Sequence, residues 1–134
     1  MINAFTPVQA SSIASSYQHM AKTLTEFQLI RWSEFTHEQQ LDLNAYQNSL
    51  LNRAHDLQTR AINPTVDQAD VLTETIQQTI SRTSHRLMLT SDLTLALALG
   101  AMTVALASYV ARSNRKGMQS AFNELHYLLE TNNA

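Results

Sequence analysis

No cysteine occurs in the 134 residues, which excludes disulfides, thiol catalysis and cysteine-ligated zinc and leaves the redox compartment open. Glycine and proline are nearly absent too. With only Gly100, Gly117, Pro7 and Pro64, the chain has little of the turn chemistry that hairpins and multi-stranded sheets need. A nearly all-α chain is expected. Charge of either sign is sparse: nine Lys and Arg against eleven Asp and Glu, net −2, form no basic face dense enough to predict nucleic-acid binding. The first lysine is Lys22, and the opening MINAFTPVQASSIASS has neither a basic start nor a long apolar run, so no cleavable leader is predicted.

What the chain does have is one charge-free stretch, Leu93–Ala111, between Asp92 and Arg112. As a helix it would be about 28 Å long, close to the hydrocarbon thickness of a bilayer. Its hydrophobicity comes from Leu and Ala and is diluted by Thr94, Gly100, Thr103 and Ser108, so both a transmembrane span and the core helix of a bundle fit it. Ala96, Gly100, Thr103, Ala107 and Ala111 recur at four and three spacing, which aligns small residues for close helix–helix packing. Tyr109, Arg112, Arg115 and Lys116 follow as a candidate membrane-interface anchor. Arg82 and Arg86 precede the stretch, so the three cations after it favour a cytoplasmic C-terminus only slightly.

Helical periodicity runs through the rest. Residues 1–16 read either as a frayed terminus or as a helix capped by Thr6 with Pro7 at its first position. Ile13, Tyr17, Met20, Leu24 and Phe27 make an apolar seam of heptad type, and Leu43, Tyr46, Leu50, Leu57 and Ala61 make a second. Between them the register slips around Trp32–Thr36, which predicts a kink or a second helix capped by Ser33. Asn63-Pro64 is the clearest boundary. Thr65 to Gln68 matches a capping box for the next helix, with its stripe at Ala69, Leu72, Ile76 and Ile80. Gly117 is placed to close the apolar helix, and Met118, Phe122, Leu125, Leu128 and Leu129 give a short amphipathic tail.

Candidate chemistry is thin. His19, His37 and His55 stand eighteen apart, about 27 Å from one to the next on a continuous helix, too far to share a metal. Glu34 and His37 form one Glu-x-x-His pair, where a di-iron site needs two such pairs and further glutamates. No phosphate loop or nucleophile elbow occurs.

The reading is therefore an all-α chain: a long helical hairpin over residues 1–92, with helices at about 7–62 and 65–90; an apolar, candidate transmembrane helix at 93–111; and a basic cluster with an amphipathic tail at 112–134. The expected function is that of a non-enzymatic structural or assembly subunit of a larger complex, anchored by one membrane span. Its expected partners are membrane lipid, other proteins and further copies of itself, with no nucleic acid, cofactor or metal. A soluble helical adaptor or chaperone and a secreted membrane-inserting protein are the alternatives.

Overall fold

The computed structural model describes residues 1–131. The chain is all-helical apart from a two-stranded sheet, in the order β1 (Ile2–Ala4), α1 (Pro7–Ile30), a 3-10 turn (Trp32–Glu34), α2 (His37–Gln58), β2 (Thr65–Asp67), α3 (Ala69–Leu89), α4 (Leu93–Ala111) and α5 (Arg115–Thr131). The last residues of the polar C-terminal tail, 132–134, lie outside the described residues.

The N-terminal segment takes the capped form. The Thr6 hydroxyl accepts from the Gln9 amide at 3.1 Å and the Gln9 side chain accepts from the Thr6 amide at 3.0 Å, a complete capping box with Pro7 at the first helical position. In place of one helix over about 7–62 there are two, because the chain turns back at 31–36. The cap of α2 is Thr36, not Ser33: Thr36 and Gln39 repeat the same reciprocal bonds. The corner is locked by amides. Gln28 donates to Gln40 at 2.6 Å and Asn44 at 3.1 Å, Gln47 donates to Gln28 at 2.6 Å, and Gln40 donates to the Trp32 carbonyl at 2.7 Å. Gln28 and Gln40 are buried, so these bonds satisfy groups that would be costly to leave unpaired.

The expected capping box at Thr65–Gln68 is instead strand β2, antiparallel to β1 with Ile2 opposite Asp67 and Ala4 opposite Thr65. Pairing with β1 satisfies backbone groups that a cap would otherwise serve. Gln68, at φ 54°, then makes the left-handed turn into α3. Gly117 does not close the apolar helix either. The turn falls at Arg112–Asn114 with Ser113 at φ 54°, and Gly117 lies inside α5, where a Cβ would overlap the Tyr109 ring. Asp92 caps α4 by accepting from the Leu95 amide at 3.2 Å.

The main neighbouring pairs are α1–α2, α2–α4, α4–α5, α5–α3 and α3–α1, which close a five-membered ring around one core, and α4 also touches α3 and α1 across it. Tyr17 and Leu24 of α1, Leu50 of α2, Ile76 of α3, Leu99 of α4 and Leu125 of α5 are all fully buried there. The seam from Ile13 to Phe27 and the stripe from Ala69 to Ile80 point inward throughout; in the second seam Tyr46 is half-buried and Ala61 lies beyond the helix, exposed. The hydroxyl of Tyr17 is buried without a partner among the described residues, and burial pushes its pKa up, above the ordinary phenol range.

The ring has two unlike ends. At the sheet end lie β1, β2 and the α4–α5 turn, tied by the Thr65 amide donating to the Ser113 hydroxyl at 3.1 Å. At the opposite, Trp32 end, Arg31 donates to the Thr90 carbonyl at 3.2 Å and joins the finish of α1 to that of α3.

Candidate functional site

The stretch expected to carry function is α4. It is the one helix among the described residues long and apolar enough to cross a membrane, with mean hydropathy 1.9. In this fold it is also a wall of the bundle. Leu95, Ala96, Leu99, Gly100, Thr103, Leu106, Ala107 and Val110 are buried against the other helices. Four of the five small residues singled out in the sequence, Ala96, Gly100, Thr103 and Ala107, therefore face neighbours in the same chain, and Ala111 is half-buried. Gly100 shows why small size matters. A Cβ there would come within 2.9 Å of the Tyr46 ring and 3.3 Å of Leu24, so α2 and α4 approach closely because no side chain stands between them. Burial, and then the charge of Asp42, raises the Tyr46 pKa. Thr103 returns its hydroxyl to the Leu99 carbonyl at 2.8 Å, which lets a polar residue sit in the core.

The opposite flank of α4, with Leu97, Ala101, Ala105 and Ser108 half-buried and Thr94 exposed, carries no charge over its whole length. The four residues expected at a membrane interface lie together around the α4–α5 turn. Arg112 sits over the Tyr109 ring, 5.4 Å from its centroid, and Tyr109 in turn packs on Gly117. Arg115 lies 3.5 Å from the Asp67 carbonyl, and Lys116 is exposed.

The histidines do not converge. His19 is on α1, while His37 and His55 sit near opposite ends of α2, and all three are exposed. Glu34 makes a loose ion pair with Arg31 at 3.8 Å, and among the described residues no group of three potential metal ligands occurs. No protein-family profile, curated protein or solved structure matches this chain.

A second surface was not singled out in the sequence. Leu29, Ile30, Trp32, Met88 and Leu89 are 55 to 78% exposed, and all sit where α1 and α3 finish. Ile30 and Met88 line one cleft of about 150 Å³ with Phe27 and Arg31. The signal was present as Ile30 and Trp32 falling off the inward seam, but only the pairing of α1 with α3 brings Met88 and Leu89 beside them.

Proposed function

We propose that this chain is a non-enzymatic helical interaction module, a subunit or adaptor of a larger protein assembly, whose charge-free helix α4 belongs to its own bundle. What supports this reading most is the double use of α4: eight of its residues are buried in the bundle, and a spanning α4 would have to be stripped from α1, α2, α3 and α5. Large apolar side chains left exposed at the Trp32 end add to it, since contiguous patches of that kind mark protein or membrane contacts.

A second reading rests on the length and hydropathy of α4: the helix leaves the bundle and crosses a bilayer, as an anchor or on contact with a target membrane. Membrane fractionation with alkaline carbonate extraction, backed by flotation, separates the two. The interaction-module reading expects release into the soluble fraction; retention in floating membranes would overturn it and make α4 an anchor with Arg112, Arg115 and Lys116 at the headgroups.

A further inference from the structure

The two ends of the ring differ in charge. Within two helical turns of the Trp32 end, links included, stand the acids Glu26, Glu34, Glu38, Asp42 and Asp92, together with Glu124 and Glu130 of α5. Against them are Arg31, Arg82 and Arg86, so seven acids meet three cations and the end is net −4. At the sheet end the cations are Arg53, Arg60, Arg112, Arg115 and Lys116 and the acids Asp56, Asp67, Asp70 and Glu74, five against four, net +1. The helix dipoles add in the same sense: α1, α3 and α5 finish at the Trp32 end and start at the sheet end, outnumbering α2 and α4.

Each end also exposes apolar side chains. At the Trp32 end Ile30, Trp32, Met88 and Leu89 are exposed. The sheet end exposes Val8 and Val71, and beside them Pro7, Ser11, Leu57, Gln58 and Arg60 line a groove of about 420 Å³. The acidic end and the weakly basic end are complementary in charge, and both offer exposed apolar side chains to a contact.

We propose that the two ends bind each other, so that copies of this chain associate head to tail with the Trp32 end of one seated on the sheet end of the next. This rests on the interaction-module reading and names the partner as a second copy. The contact is heterologous, so it propagates into a ring or an open filament rather than closing as a two-fold dimer. Five helices of about 10 Å diameter in a ring give each end roughly 600 Å², or about 1,200 Å² for a pair, the low end for a specific interface. Association is therefore concentration-dependent and weakened by salt, with charge setting orientation and the exposed apolar side chains setting affinity.

The test is sedimentation velocity of the full chain from micromolar to millimolar, with the emission of Trp32, the chain's one tryptophan, followed in parallel. Growth of mass with concentration, a blue shift of the emission, and weakening of both on adding salt are expected. Two variants decide the geometry. Ile30→Glu adds an acid to the acidic end, and Val8→Glu with Lys116→Glu reverses the basic end, all at exposed positions. Each variant alone should associate about tenfold more weakly or worse, while their equimolar mixture, retaining one good interface, should stop at a heterodimer. A wild-type chain that stays monomeric at millimolar, or variants that still pair with themselves, would overturn the proposal. Membrane retention would instead remove the reading beneath it.

Discussion

Replacing Leu99 with alanine separates a bundle helix from a membrane span by the size of its effect. Leu99 is fully buried between α4 and the rest of the ring, so the substitution removes its transfer energy and leaves a cavity that close-packed neighbours fill only in part. For such a site the cost is about 3 kcal/mol, a drop in Tm of roughly 10 °C for a domain of this size. Leu97, half-buried on the outward flank two residues away, is the control: Leu97→Ala should cost only about 1 kcal/mol. The assay is urea unfolding of both variants in detergent-free buffer, followed by far-ultraviolet circular dichroism. Were α4 a lipid-exposed span, Leu99→Ala would change insertion by roughly half a kcal/mol and leave the unfolding of α1 to α3 untouched. Equal midpoints for the two variants would refute the packing argument.

Gly100→Leu should be more damaging than Leu99→Ala, because Tyr46 and Leu24 already occupy the space a side chain needs; a wild-type Tm would show that the two helices are not in close contact. Thr23 donates to the His19 carbonyl and leaves Ser84 to donate to the Thr23 hydroxyl at 2.7 Å, so Ser84→Ala should cost about 1–2 kcal/mol and Thr23→Val with Ser84→Ala less than the sum of the single changes, read from a double-mutant cycle. Thr36→Ala should cost about 1 kcal/mol through the lost cap of α2, measured by chemical denaturation. Tyr17 is held neutral by burial while its unfolded form ionises near the ordinary value of 10; the stability this represents is complete below that pH and is lost as pH rises above it. Absorbance titration should find one tyrosine that ionises only on unfolding, and four tyrosines titrating together in the folded state would contradict the burial.

Periodicity alone carried the inward faces of α1 and α3, since a face that must be buried shows as apolar residues every three or four positions. The same signal bounded α4, where no charge intervenes. Turns were harder to read. The reversal at 31–36 contains neither glycine nor proline, yet Thr36 and Gln39 spell a capping box that the apolar register masked. Gln68 and Ser113 adopt left-handed backbone that composition assigns to glycine, and Gly117 is used for a close approach by Tyr109 rather than for a turn. Strand β2 depends on β1, more than sixty residues away, and no local pattern reveals such a pairing. The direction of the small-residue face and the patch around Trp32 are likewise tertiary: both follow from which helices adjoin, not from spacing along one of them.

Hydrogen–deuterium exchange of the intact chain in detergent-free solution tests the place of α4 most directly. If α4 is a wall of the bundle, its amides from Leu99 to Val110 exchange as slowly as those of Met20 to Phe27 in α1, through the same global opening. Fast exchange across α4 while α1 to α3 stay protected would contradict that placement and mean that the helix is detached and free to enter a membrane.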